Sequence, residues 1–235
     1  VQGSKIDYGC ANQDSVQEIE NALLWISTNK TASPQVAMLE RLQFKIISTP
    51  PIDRLLAAAT LTGVDNVMSW QMKMDGHSWY VLTIVTSNLT LAYDIVEDEW
   101  SQWTDSSGNY LPFIASAYDS TNRHILQHAT NGKLYYMNSS YKNDDNTIIT
   151  CDIITPNFDA QTRRRKTLSI MTFIGDQVDG SVLQVRVSDD DYQTWSNYRT
   201  VAMDIKNPML TDCGTFTKRA FHMRHAVNTD FRMQA

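Results

Sequence analysis

The sequence predicts an all-β chain: β-propeller-like blades with a C-terminal antiparallel sheet or sandwich unit and one short inserted helix. Three observations carry that expectation. Thr, Ser, Asn and Asp are abundant while aromatic residues fall in short, separated clusters, the composition of strands joined by many turns. A turn residue followed by an aromatic-rich strand recurs three times along the chain. Only one stretch, Ala/Leu-rich and opened by a proline pair, reads as helix.

The recurring segments are Asn21-Ala22-Leu23-Leu24-Trp25-Ile26, Gly76-His77-Ser78-Trp79-Tyr80-Val81 and Gly132-Lys133-Leu134-Tyr135-Tyr136-Met137. The second and third align as Gly-x-x-aromatic-Tyr about 56 positions apart, and the first aligns loosely at about 55. A second echo pairs Trp100-Ser101-Gln102-Trp103 with Trp195-Ser196-Asn197-Tyr198. Each unit would be a small antiparallel sheet whose aromatic face cannot be buried alone. Stacking several sheets radially closes the core and protects the strand edges. The helix is expected over Pro51–Thr60, before Gly63.

Strands are expected at Ser78–Thr86 and Leu89–Val96, joined as a hairpin at Ser87-Asn88. Others are expected at Arg123–His128, Lys133–Met137, Thr147–Ile154, Ser181–Ser188 and Phe216–Ala226. After Asp159 the aromatic repeat disappears and charges concentrate. The blades are therefore assigned to residues 1–159. Residues 160–235 form a β-rich unit that completes the propeller or folds as a separate sandwich.

No run of 18 or more apolar residues is present, so no helix is expected to span a bilayer. The chain opens on Val1 without a signal-peptide pattern and ends on an alternating stretch, as expected of a piece of a longer polypeptide. Cys10, Cys151 and Cys213 are odd in number and lack C-x-x-C spacing, which points to buried free thiols in a reducing cytoplasm. Sequons at Asn29, Asn88 and Asn138 are read as chance tripeptides. A net charge of -6 and a pI near 5.3 disfavour tight nucleic-acid binding, which draws its affinity from phosphate neutralisation.

Ser188-Asp189-Asp190-Asp191-Tyr192-Gln193-Thr194-Trp195 resembles an Asp-box, a hairpin turn of the form Ser-x-Asp-x-Gly-x-Thr-Trp. Its logic is structural: Ser188, Asp190 and Thr194 tie the turn, and Trp195 packs beneath it. Tyr192 stands where Gly is expected. Sialidase-type chemistry would need converging arginines and a Tyr paired with a carboxylate. Arg163-Arg164-Arg165-Lys166 read as a strand would alternate faces and could not converge.

His124/His128 and His222/His225 have spacings that suit metal binding on helices, but they fall in strand-like sequence. Asn143-Asp144-Asp145-Asn146 lacks a full calcium loop and reads as a polar turn. No phosphate loop, nucleophile elbow or zinc-protease motif occurs, and Cys10 has no assignable His partner. No catalytic, cofactor-binding or metal-binding residue is expected.

Several stretches, in order, resemble the tail hub or nozzle proteins of short-tailed phages, the packaged-DNA stabilisation family. They are Gly9-Cys10 through Ser15-Val16 leading to Leu24-Trp25-Ile26-Ser27, and Ile47-Ser48-Thr49 with Ile52-Asp53 before the helix. Next come Gly76-His77-Ser78-Trp79-Tyr80-Val81-Leu82-Thr83 with Ala92-Tyr93-Asp94 and Trp100. The last are Val187-Ser188-Asp189-Asp190 with Thr194-Trp195-Ser196-Asn197, followed by Arg219-Ala220-Phe221.

The resemblance implies a non-enzymatic virion subunit, made in the bacterial host cytoplasm and assembled as a homo-hexameric ring. It would sit against a portal or adaptor and a tail needle or fibre, without a cofactor. It would hold the packaged genome and pass it during ejection, with DNA moving through unbound by any specific contact. The competing readings are a glycan-binding or glycosidase-like propeller with a degenerate Asp-box, and a generic peptide-binding propeller scaffold.

Overall fold

A computed structural model describes residues 8–28, 33–121 and 123–233. The chain forms two compact units, Val1–Tyr141 and Lys142–Ala235. The division falls ahead of the 159/160 position read from the pattern, for a reason local sequence cannot carry. The strand Cys151–Ile154 pairs with Ala220–His225, near the far end of the chain, and so belongs to the second unit.

Three antiparallel sheets build the first unit. In the first sheet, Gly9–Cys10 and Gln17–Ile19 both pair with Ala22–Thr28, which is followed by Gln35–Glu40 and Gln43–Ile46. A single turn of 3-10 helix, Gln13–Ser15, interrupts its opening strand; the Asn12 side chain caps the turn by accepting from the Asp14 N–H at 2.8 Å. The second sheet is a four-strand meander: Val67–Met74, His77–Ile84, Leu89–Asp94 and Glu99–Gln102. Three strands, Phe113–Tyr118, His124–His128 and Leu134–Met137, form the third.

Two-residue turns set the registers. Glu20-Asn21, Arg41-Leu42, Asp75-Gly76 and Asp145-Asn146 all have positive φ at both positions and link directly paired strand ends. That is the turn whose twist matches the strands it joins.

The second sheet is buried on both faces. Tyr80, Leu82, Ile84, Leu91 and Tyr93 pack with Leu24, Ile26 and Val36 of the first sheet and with Ile52 and Leu56 of the helix Pro50–Ala58. Trp70, Met72, Val81 and Ala92 on the opposite face pack with Phe113 and Leu126 of the third sheet. Sheets stacked face to face through period-2 alternation are the propeller arrangement expected.

The recurring aromatic motif resolves differently from its alignment. Asn21 and Gly76 close equivalent turns between the first and second strands of their sheets. Gly132 instead precedes a third strand. Trp25 and Tyr80 lie four positions after their turn residues, and both are buried. Trp79 and Tyr135 line the same cluster from facing sheets, while Tyr136 is 48% exposed. The loosely matched pair is thus the structurally equivalent one.

The second unit centres on a four-stranded sheet in the order Cys151–Ile154, Ala220–His225, Val182–Ser188, Arg199–Ala202. Short ladders pair Lys166–Thr167 with Thr215–Phe216 and Ile170–Thr172 with Met209–Thr211. Leu183 and Val185 from the central sheet pack with Phe173, Val201, Met203 and Leu210 to form its core.

Several expected boundaries move. The Ser78–Thr86 strand ends at Ile84, because Val85–Ser87 turns as 3-10 helix and Asn88 takes φ 49°. Thr147–Ile154 divides into Thr147–Ile148 and Cys151–Ile154, and Phe216–Ala226 resolves into Thr215–Phe216 and Ala220–His225, each piece pairing with a different partner. The cysteines are free, but Cys10 and Cys151 are exposed and Cys213 is half-buried, which corrects the buried-thiol expectation. Small side chains on edge strands need no burial for the sheet to form. Asn29 lies outside the described residues.

Candidate functional site

The Asp-box-like turn closes by the contacts its residue types predict. Asp190 accepts from the Thr194 N–H at 2.9 Å, the Thr194 hydroxyl at 2.5 Å and the Ser188 hydroxyl at 2.8 Å. The Thr194 bonds, with that from Ser188, bring its carboxyl down to about 2. Ser188 Oγ also accepts from the Tyr192 N–H at 3.0 Å. Asp191 and Tyr192 take φ 58° and 66° at the tip, so Tyr192 occupies the left-handed position where glycine was expected. Compensating contacts hold it there: its hydroxyl donates to the Thr155 carbonyl at 3.3 Å, and its ring lies 6.1 Å from Trp195.

Arg219 anchors this turn from below. It is 4% exposed and donates to both Asp189 oxygens at 2.7 Å; it also donates to the Cys213 carbonyl and lies over Phe216 at 4.3 Å. A buried guanidinium is tolerated only when paired and hydrogen-bonded in this way. Lys218 and Asn157 both bind Asp191. The turn's acidic run is therefore fully engaged within its own unit.

Trp195 does not simply pack beneath the turn. It forms one side of a cluster on the face of the central sheet opposite Leu183 and Val185, where Arg186 and His222 are register partners, as are Asp152 and Arg224. The Arg186 guanidinium lies 5.1 Å from the Trp195 ring and 4.6 Å from the Tyr198 ring. Its Nε donates to His222 Nδ1 at 2.9 Å, so His222 carries its proton on Nε2, which faces Asp152 at 2.5 Å. Arg224 meets the same carboxylate at 2.7 and 3.2 Å. Burial acts to raise the Asp152 carboxyl, and the Arg224 and His222 bonds outweigh it, leaving it below the ordinary range. Among the described residues no carboxylate pairs with Arg186.

The other sequence candidates scatter. Arg163–Arg165 are not in a strand, correcting that expectation; Arg165 donates to the Thr215 hydroxyl, and Lys166 to the carbonyls of Thr162, Arg164 and Thr217. His124 is buried with Nε2 on the Gln71 carbonyl, and His128 accepts from the Thr130 and Asn131 N–H groups. His222 and His225 face opposite sides of their strand. Asn143–Asn146 is a two-residue hairpin. Cys10 donates to the Asn12 carbonyl. Among the described residues, no three His, Cys, Asp or Glu side chains gather as a metal site, and no helix is long and apolar enough to cross a membrane.

Sequence reasoning found Trp195 but missed Arg186, His222 and Asp152 as its companions. The Trp195-Ser196-Asn197-Tyr198 echo was the available signal, since both rings flank Arg186.

Comparison with known proteins yields one family: a family model described as Bacteriophage P22 Gp10, beta-propeller, matches residues 1–142. No curated protein matches the chain. A solved structure titled "Novel fungal alcohol oxidase with catalytic diversity among the AA5 family, in complex with copper" aligns over 99% of this chain and 55% of its own. Its identity is 11% and its TM-score 0.29, too low to carry an argument on fold or chemistry.

Proposed function

The chain belongs to the family described as Bacteriophage P22 Gp10, beta-propeller, and from that premise we propose that it is a hub or nozzle subunit of a short phage tail. At the coarser level it is a structural protein of the phage particle that stabilises packaged DNA. The finer reading makes it a ring-forming subunit, made in the host cytoplasm, that meets a portal or adaptor on one side and a tail needle or fibre on the other. The genome is retained behind this ring until ejection and then passes through it.

The observation that carries the reading is the family match over the same residues that stack as three face-to-face sheets. The charge supports it: at -6, the chain has no net positive charge with which to hold a duplex fast. The glycan-binding alternative draws no comparable support. Asp190 is used by its own turn, and Asp152 is taken up by Arg224 and His222.

The test is particle assembly without this protein. Heads should still fill and then lose their DNA, measured as nuclease-sensitive genome, and adding the protein back should restore retention. Heads that stay filled and nuclease-resistant without it would overturn the proposal.

A further inference from the structure

Arg186 is a cation prepared for an anion that its own unit does not supply. Its planar group is fixed between Trp195 and Tyr198, and His222 takes up only Nε. Neighbouring charges are already matched: Arg224 with Asp152, Arg219 with Asp189 and Lys218 with Asp191. Around it, Tyr192 is exposed, and Trp195 and Tyr198 are half-buried. Trp, Tyr and Arg gathered at one patch is the composition of protein–protein hot spots. A fixed guanidinium also loses little freedom on meeting a carboxylate bidentately.

The chain's own charge distribution says what fits there. Residues 142–235 carry twelve Lys and Arg against twelve Asp and Glu, whereas residues 1–141 carry 8 against 14. The whole acidic surplus thus lies in the first unit. A DNA duplex is the poorer partner, because affinity for phosphate grows with the number of cations engaged and residues 142–235 carry as many Asp and Glu as Lys and Arg. Two runs of three consecutive carboxylates exist, Glu97-Asp98-Glu99 and Asp189-Asp190-Asp191. The latter is engaged in its own turn. In the former, Asp98 is held by Tyr93 and Lys45, while Glu97 and Glu99 are exposed beside Val96, which is 55% exposed.

We propose that Arg186, framed by Trp195 and Tyr198, receives a carboxylate from the Glu97–Glu99 turn of a second copy of the chain. The contact joins two different patches, so it is heterologous and can propagate into a ring. It rests on the ring-forming reading above and adds the residues that would close it.

The test measures association of residues 1–235 by sedimentation across concentration. The wild type should associate, more weakly as salt rises. Arg186→Ala and the Glu97→Lys/Glu99→Lys variant should each associate at least tenfold more weakly. The latter alters only exposed side chains, at the turn and at the first residue of the strand it enters, and keeps the test valid if the Arg186 variant misfolds. Mixing Arg186→Glu with Glu97→Lys/Glu99→Lys should restore assembly, since every contact in an alternating ring is then between opposite charges. Wild-type assembly matched by both variants overturns this contact and leaves the ring reading standing. A wild type that remains monomeric at every concentration overturns both.

Discussion

Leu42 illustrates how single residues here work against their backbone. It sits at φ 68° on a two-residue turn and is 92% exposed, so it bears left-handed strain without compensating burial. Left-handed geometry costs an L-residue about 1–2 kcal/mol, part of which glycine returns as unfolded-state entropy. Leu42→Gly should therefore stabilise the protein by about 1 kcal/mol, read as a raised midpoint in urea unfolding. Tyr192 has the same backbone but gains a hydrogen bond and a ring contact, so the equivalent exchange there should bring less.

Asp190 sets a pH signature. With its folded carboxyl at about 2, its contribution is present above the ordinary carboxylate range and is lost as pH falls through about 2. Asp190→Ala should flatten that acid limb in urea titrations at stepped pH. Burial also lowers His124 and His225, so their stabilising share is whole above 6.5 and fades as pH drops below it. Ser188, Asp190 and Thr194 were legible in sequence because the partners that close their turn lie within a few positions. Arg186 and His222 meet only through strand register, 36 residues apart, a distance no local pattern encodes.

Among the elements, the second sheet carries most of the order, being covered on both faces. The polar pair Thr83 and Thr90 is accommodated there because their hydroxyls bond each other at 2.9 Å and meet the backbone of Leu111. Leu126, 2% exposed in the cluster between the second and third sheets, should cost about 2–5 kcal/mol when cut to Ala. Tyr136→Ala on the opposite side of the third sheet should change stability by only about 0.5 kcal/mol. Calorimetric unfolding of the two variants would separate them.

At this scale the sequence placed the strand that follows Gly76 and the hairpin into Leu89–Asp94, but it assigned no strand to Val67–Met74, which pairs across Asp75-Gly76. It predicted poorly where pairing was long-range: the split of Thr147–Ile154 follows from Cys151–Ile154 joining the C-terminal strand. The aromatic repeat misaligned because spacing from a glycine does not say which strand of a sheet follows.

For the whole molecule, stacked sheets in the first unit and the family match describe a structural particle protein. The acidic surplus of the first unit, and Arg186 without a carboxylate among the described residues of the second, are the features on which the proposed self-association rests. The most direct measurement of the central claim is the position of this protein on intact phage, using antibody-linked gold and electron microscopy. The account predicts label at a single vertex of each particle, where the tail attaches. Label spread evenly over the capsid, or particles without label, would contradict it.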